Sequence, residues 1–139
     1  LNIKKINFLQ IDGIYSKILL DVPCSGTGTL MKNPDIKMRR KINDYSFFNK
    51  TQKELLNHAK KILSKNGSIV YSTCSINRIE NWDIIDNFLH INKNFSVDNA
   101  ENYIPSKYVD SKGALKILPN IHNLEGMFAV KLIKNENIN

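Results

Sequence analysis

The sequence predicts an α/β fold in which two parallel strands are joined by a helix. Residues 17–22 form a continuous apolar run that stops at Pro23, as is typical of a strand buried on both faces. Residues 68–74 are rich in β-forming side chains and predict the next strand. A strand–helix–strand order of this kind favours a right-handed crossover within one sheet.

The helix between these strands is predicted over residues 46–66. Its apolar positions fall on one face at helical spacing, and they are Leu55, Leu56, Ala59, Ile62 and Leu63. Ser46 is of a type that caps a helix start, and Gly67 stands where a helix-ending glycine is expected.

A second helix is predicted to follow residues 68–74. Asn77 and Glu80 have the spacing of a capping box, and the expected apolar face comprises Ile79, Trp82, Ile85, Phe88 and Leu89. Residues 92–112 are predicted to be mostly loop. The runs at residues 113–119 and 127–133 then predict an antiparallel strand pair at the end of the chain.

Composition narrows the class of protein. A chain of 139 residues suits a single domain, residues 1–139, and 42% hydrophobic residues indicate a folded one. The net charge of +7 favours an anionic partner, with nucleic acid before a membrane surface. The two cysteines have no zinc-site spacing, so no metal is expected. With no apolar run of membrane-spanning length, the sequence predicts a cytoplasmic protein with free thiols and no membrane partner.

The strand order places both cysteines at one edge of the sheet. Cys24 lies just past the carboxyl end of the first strand, and Cys74 ends the second. Adjacent strands lie about 4.8 Å apart, and the chemistry of open α/β sheets gathers at their carboxyl edge. We therefore expect the two thiols to face one pocket, with Asp21 beside them. A purely structural role as small buried apolar residues is the alternative for both cysteines.

Two motifs around these cysteines resemble those of the Sun/Nol/Nop family of S-adenosylmethionine-dependent RNA cytosine-C5 methyltransferases. "DVPCSGTG" is similar to the family's Asp-x-Pro-Cys-Ser-Gly-x-Gly motif, and "STCS", followed by Glu80 and Asn81, is similar to its Thr-Cys-Ser motif. "LEGMF" resembles the closing hairpin motif, which usually carries Gly-Phe-Phe. The resemblance covers residues 15–134. It implies a class I (Rossmann-like) methyltransferase fold, with this chain holding the carboxy-terminal half of the sheet and the final antiparallel pair.

The resemblance also implies what the chain lacks. The family binds its cofactor with a glycine-rich loop and an acidic residue on strands that precede the first strand seen here, and nothing before Tyr15 matches that loop. Asp12 is the candidate for the acidic residue. The sequence therefore predicts an incomplete catalytic domain without its amino-terminal cofactor-binding strands.

The resemblance assigns roles to individual residues. It implies that Cys74 is the nucleophile that attacks cytosine C6, and that Cys24 releases the product. Asp21 is the candidate for assisting at N3 and, with Asp12 and Pro23, for contacting S-adenosylmethionine. The basic stretch after the first cysteine is the candidate RNA contact, through Lys32, Lys37, Arg39 and Arg40. Ribosomal RNA is the first expected substrate, and tRNA is possible.

Two other functions stay open on the sequence. DNA cytosine-C5 methyltransferases also use a Pro-Cys, and there that cysteine is the nucleophile, which would correspond to Cys24. The absent glycine-rich loop would also suit a non-catalytic RNA-binding remnant. Separate substitution of each cysteine discriminates the first alternative, and cofactor binding discriminates the second.

Overall fold

The computed structural model describes residues 13–39 and 41–136. Within these ranges the chain forms a mixed five-stranded sheet with its longest helix between the two parallel strands. In chain order the elements are β1 Tyr15–Asp21, α1 Ile36–Arg39, α2 Ile42–Ile62, β2 Leu63–Thr73, α3 Trp82–Ile91, β3 Phe95–Asp98, β4 Leu115–Ile117, α4 Pro119–His122 and β5 Met127–Lys134. Short 3-10 turns lie between them at Thr27–Thr29, Arg78–Glu80, Ala100–Asn102 and Ser106–Tyr108.

The strand order is β1–β2–β5–β3, with β4 paired to β5. β1 and β2 run parallel, with Asp21 opposite Ser72, so their carboxyl ends meet at one edge as predicted. β5 runs antiparallel to β2, β3 and β4. The predicted terminal strand pair is therefore present as β4 and β5. Its second strand is inserted between β2 and β3, which makes β5 central to the sheet.

The core lies between the sheet and helices α2 and α3. Tyr71 and Leu132, on neighbouring strands, are fully buried, and the Trp82 and Phe128 rings pack edge to face at 5.6 Å between centroids. The core cluster comprises Val22, Leu55, Leu56, Ala59, Leu63, Ile69, Tyr71, Trp82, Ile84, Ile85, Phe88, Phe95, Ala114, Phe128, Val130 and Leu132. It contains most of the apolar positions that the helical spacing predicted.

Strand β1 is more exposed than its apolar sequence predicts. Among the described residues it pairs with β2 alone, so it forms an edge of the sheet. Ile18 and Leu20 pack against the core, whereas Leu19 points the other way and is 73% exposed. The expectation of burial on both faces was wrong because the described residues cover only one face of this strand.

The start of α2 differs from the prediction. The helix begins at Ile42, not at Ser46, and Lys41 is its N-cap residue. The Lys41 backbone N–H donates to Asp44 Oδ2 at 2.8 Å. A carboxylate in the first turn accepts a hydrogen bond from an otherwise unpaired backbone N–H, and its negative charge interacts favourably with the positive end of the helix dipole. Asp44 therefore stabilises the helix start, the role expected of Ser46.

The end of α2 also differs. The helix stops at Ile62, and Gly67 lies within β2 rather than at a helix terminus. The left-handed residue is Asn66, with φ 56°. There the β1–β2 register shifts, since Tyr15 pairs with Leu63 but Lys17 pairs with Ser68. The Asn-Gly pair marks a strand irregularity, a position that both residue types tolerate.

The segment after β2 corrects two further predictions. Asn77 Oδ1 accepts from Ile79 N, so Asn77 does cap a turn, but the turn is 3-10 and Glu80 does not complete a capping box. Ile79, predicted on the apolar face, is exposed. Residues 92–112 include β3, which was predicted as loop. Its four residues pair with β5, and its Phe95 ring packs on Phe88.

No helix in the described ranges is long and apolar enough to cross a membrane. Nor do the described residues contain a group of three or more His, Cys, Asp or Glu side chains that could hold a metal ion.

Candidate active site

The two thiols are in contact at the carboxyl edge of the parallel strands. Cys74 directly follows β2, and Cys24 follows β1 after Val22 and Pro23. Their Sγ atoms lie 3.0 Å apart, and both cysteines are free and partly buried. The strand order predicted this proximity, because it depends only on two parallel neighbours ending at the same level.

The contact shifts the pKa values of the two thiols in opposite directions. A hydrogen bond from Cys24 lowers the pKa of Cys74 to about 7, against the opposing effects of burial and of the Asp21 and Glu80 charges. The same hydrogen bond, together with burial, raises the pKa of Cys24 far above its ordinary value. With a pKa of about 7, Cys74 is partly ionised to a thiolate near neutral pH, whereas Cys24 remains a thiol. The thiolate is the nucleophilic form of cysteine.

Asp21 lies at the rim of this site. Its side chain is exposed, and Oδ1 accepts a hydrogen bond of 2.9 Å from Ser72 Oγ. Its charge reaches Cys74, because it is among the causes that raise the pKa of that thiol. An exposed, oriented carboxylate suits the cationic cofactor S-adenosylmethionine, and Pro23 lies between Asp21 and Cys24. Asp12, the third candidate for cofactor contact, is outside the described residues.

Two glycines join three loops around the thiols. Gly28 N donates to Cys74 O at 2.9 Å, and Gly126 N, in the closing turn, donates to Gly28 O at 2.8 Å. A Cβ on Gly28 would lie 2.3 Å from Gly126 O and 2.7 Å from Cys74 O. Only glycine allows the backbones to approach this closely. The third motif of the sequence is thereby packed against the first two.

A buried carboxylate, Glu80, lies beneath the cysteine loops. It is 0% exposed. Its Oε2 accepts from Ser25 Oγ and Ser75 Oγ, each at 2.5 Å, and its Oε1 accepts from Ser25 N at 2.8 Å. Gln52, also fully buried, donates from Nε2 to Glu80 Oε1 at 3.3 Å and to Pro23 O at 2.9 Å.

Sequence reasoning missed the place of Glu80 and Gln52 in the site. Glu80 was interpreted as a helix-capping residue. Gln52 was not singled out, because it is one of several polar residues in the predicted helix. One signal was present in the sequence, since each cysteine is followed directly by a serine. The serines of these two Cys-Ser pairs are the residues that share Glu80 as acceptor, which the sequence does not identify.

The predicted RNA-binding residues are only partly described. Lys32 lies just past the site loop, where its Nζ pairs with Glu125 Oε1 of the closing turn at 2.5 Å. Lys37 is exposed on α1. The backbone of Arg39 ends α1, and Arg40 is outside the described residues. The structure thus puts Lys32 and Lys37 on the chain that leaves the Cys24 loop, with one of them already paired to an acid.

The model of the family described as 16S rRNA methyltransferase RsmB/F matches residues 2–133. The chain belongs to this family. Ribosomal RNA small subunit methyltransferase B of Shewanella oneidensis is 35% identical over 120 residues, covering 86% of this chain and 27% of that protein. Ribosomal RNA small subunit methyltransferase F of Shewanella piezotolerans is 36% identical over 129 residues, covering 90% and 27%.

Solved structures agree with the RsmB/F assignment. A methyltransferase homolog protein from Pyrococcus horikoshii is 29% identical, with a TM-score of 0.67, over 88% of this chain and 40% of that one. NSun6 from the same organism, solved with SFG, shares the fold with a TM-score of 0.77 at 24% identity, over 94% of this chain and 33% of that one. The resemblance and the class I α/β fold predicted from the sequence are both confirmed.

RsmB/F proteins are S-adenosylmethionine-dependent RNA methyltransferases. This chain spans about a quarter of the length of the curated relatives that it matches. Its share of the family fold comprises the two cysteine motifs and the closing hairpin.

Proposed function

We propose that this chain supplies the catalytic cysteines of an enzyme that transfers a methyl group to C5 of cytosine in RNA. Ribosomal RNA is the first substrate class, with tRNA as the alternative, and the cytoplasm is the expected compartment. The observation that carries the proposal is the contact between Cys24 and Cys74, since a thiolate and a thiol at 3.0 Å are suited to adding to a base and then releasing it.

Cys74 is the nucleophile in this proposal. Its thiolate forms a bond to cytosine C6, and the electrons of the C5–C6 double bond make C5 nucleophilic. When bound, S-adenosylmethionine would supply the methyl group that C5 takes, and its sulfur would keep the bonding electrons as S-adenosylhomocysteine leaves. A pKa of about 7 keeps a large share of Cys74 ionised near neutral pH, while leaving it basic enough to attack and able to depart again.

Cys24 is the release residue. Its raised pKa is due first to the hydrogen bond that it donates to Cys74 and, after burial, to the Cys74 charge. Both causes vanish once Cys74 is a neutral thioether, so the pKa of Cys24 falls, although burial still raises it, and loss of the proton to solvent becomes easier. The Cys24 thiolate takes the proton from C5, the C–H electrons restore the C5–C6 double bond, and Cys74 leaves as a thiolate.

Asp21 and Pro23 lie at the edge of the site that would face the cofactor. We assign Asp21 to assistance at cytosine N3 and to contact with the cofactor near its methyl group, and Pro23 to holding the loop that presents Cys24. The target base must leave its stack to reach the thiols. Lys32, Lys37, Arg39 and Arg40 would hold the RNA backbone, through interactions that weaken as salt increases.

A covalent-trapping experiment tests the proposal. The chain is mixed with S-adenosylmethionine and ribosomal RNA that contains 5-fluorocytosine, and the products are separated on a denaturing gel. Fluorine at C5 blocks proton removal, so we expect a shifted protein–RNA band in the wild type and none with Cys74→Ala. With unmodified RNA, Cys24→Ala should accumulate the adduct, because its release step is lost.

The outcomes separate the competing functions. Loss of the band with Cys24→Ala and its retention with Cys74→Ala would indicate the DNA-type arrangement. RNA binding without any band, and without binding of S-adenosylmethionine, would identify a non-catalytic remnant. Exposed Met31, just beyond the Cys24 loop, provides a matched control, since Met31→Ala should leave the band unchanged.

A further inference from the structure

We infer that Glu80 is a positioning residue that sets the distance between the two reactive thiols. The inference rests on the proposed function and adds to it a residue that touches neither base nor cofactor. A single carboxylate in the core holds the residue after each cysteine, in addition to the backbone hydrogen bond from Gly28 to Cys74 that joins the same loops.

The Glu80 carboxylate connects the two cysteine loops through the serine that follows each cysteine. Ser25 and Ser75 each follow a cysteine, and both hydroxyls donate to the same atom, Glu80 Oε2, at 2.5 Å. The two hydroxyls also lie 3.3 Å from each other. Fixing two serines on one oxygen fixes the separation of the cysteines that precede them, since only one peptide unit lies between each serine and its cysteine. The shared acceptor thereby helps the paired strand ends to hold the sulfurs at their 3.0 Å distance.

Glu80 and Gln52 also hold the Cys24 loop. Glu80 Oε1 accepts from the Ser25 backbone N–H, and Gln52 Nε2 donates both to Glu80 and to Pro23 O. The peptide groups on both sides of Cys24 are thus tied to the Glu80–Gln52 pair. Together with the Gly28–Cys74 backbone hydrogen bond, these contacts restrain the Cys24 loop and hinder rotation of its thiol away from Cys74.

Burying the Glu80 carboxylate has an energetic cost. A buried carboxylate is costly unless it is hydrogen-bonded, and the donors around Glu80 named here are neutral hydroxyl and amide groups. An apolar side chain would avoid that cost but would take this acceptor away from the Ser25, Ser75 and Gln52 donors. A buried acid with four donors from three segments is therefore better explained by the arrangement it imposes on the loops than by stability alone.

Glu80→Gln provides a test in which two explanations give opposite signs. The Glu80 charge raises the pKa of Cys74, so removing only the charge would lower it. Loss of positioning would instead weaken the hydrogen bond from Cys24, and the pKa of Cys74 would rise. We expect the midpoint of the pH profile for iodoacetamide alkylation of Cys74 to move upward. An unchanged or lower midpoint would overturn the inference.

A second readout reports the proximity of the sulfurs through the equilibrium constant for forming a disulfide between them. In glutathione buffers, the Cys74 thiolate displaces one thiolate from glutathione disulfide, and Cys24 then displaces the second and closes a Cys24–Cys74 disulfide. The equilibrium constant reports how well the fold holds the thiols together. We expect it to fall at least tenfold in Glu80→Gln. An equal constant in the wild type and the variant would contradict the positioning role.

Controls separate positioning from general destabilisation. Asn92 is a buried amide, hydrogen-bonded to Phe88 O and Lys60 away from the thiols, so Asn92→Ala should lower Tm and leave both thiol readouts unchanged. If Glu80→Gln does not fold, Ser75→Ala removes one hydroxyl from the shared oxygen and should shift both readouts in the same direction. The readouts need no RNA or cofactor, so failure of the methyl-transfer proposal and failure of this one remain distinguishable.

Discussion

At the scale of single residues, the pKa values of the two thiols are linked by the hydrogen bond between them. Cys74 and Cys24 have the same side chain, yet the hydrogen bond between them lowers the pKa of one and raises that of the other. The sequence could bring the thiols together by topology, but it could not assign the nucleophile. That assignment came from the family resemblance, and the lowered pKa of Cys74 is consistent with it.

Substituting the donor should therefore change the acceptor. In Cys24→Ala, Cys74 loses the hydrogen bond that stabilises its thiolate, and we expect its pKa to rise from about 7 toward that of an ordinary cysteine. The rate of iodoacetamide labelling across pH, with the labelled peptide identified by mass spectrometry, measures this shift. An unmoved midpoint would mean that Cys24 does not activate Cys74. Met31→Ala is again the control.

At the scale of elements, the parallel pair β1–β2 and the closing turn before β5 meet at two glycines. Gly28 and Gly126 allow backbone contact where any side chain would collide. Both cysteine motifs and the closing motif can be recognised in the sequence. The packing of the closing motif, through Gly126, on the Cys24 motif, through Gly28, cannot. Such a contact between segments far apart in the chain has no local pattern in sequence, whereas strands and amphipathic helices do.

The glycine contact predicts a large effect of a small substitution. Gly28→Ala would place its Cβ against the Gly126 and Cys74 carbonyl oxygens, which are backbone atoms and cannot turn aside. We expect the free energy of unfolding to fall by about 1–3 kcal/mol, as for other overpacked sites. Urea unfolding checks this value. Equal stability of Gly28→Ala and the exposed Met31→Ala would show that the loops can separate without cost.

The same reasoning explains which elements were mispredicted. Phe95–Asp98 carries too few apolar residues to be distinguished from loop, and it becomes a strand because β5 offers it a free edge. Asn66 and Gly67 were taken to end a helix, since Asn-Gly marks helix ends and strand irregularities alike. In both cases tertiary pairing decided between local alternatives that the sequence leaves nearly equal.

At the scale of the whole molecule, two weak acids are held protonated by the fold. Burial is the main cause that raises the pKa of Tyr71, whose hydroxyl donates to Glu80 O at 2.6 Å, and burial also contributes to the raised pKa of Cys24. Above pH of about 10 the unfolded chain loses these protons while the folded chain keeps them. The unfolded state then binds fewer protons, so stability decreases as pH rises.

Tyr71→Phe isolates one of these groups. The variant loses a hydrogen bond and is less stable at neutral pH, but it has no hydroxyl to ionise. We expect its stability to decrease less steeply than that of the wild type above pH of about 10, by roughly 1.4 kcal/mol per pH unit. Urea unfolding at several pH values compares the slopes. Parallel curves for the two proteins would show that Tyr71 does not resist ionisation in the fold.

The edge position of β1 has a practical consequence for solution behaviour. In the described part of the chain, the peptide groups on its outer side have no strand beside them, and Leu19 exposes apolar surface next to them. Where no further strand covers it, an edge of this kind is a template for association with other chains, and concentration favours that association. Dilute samples checked by light scattering are therefore the right starting material, because association along β1 would compete with the binding and labelling that these experiments measure.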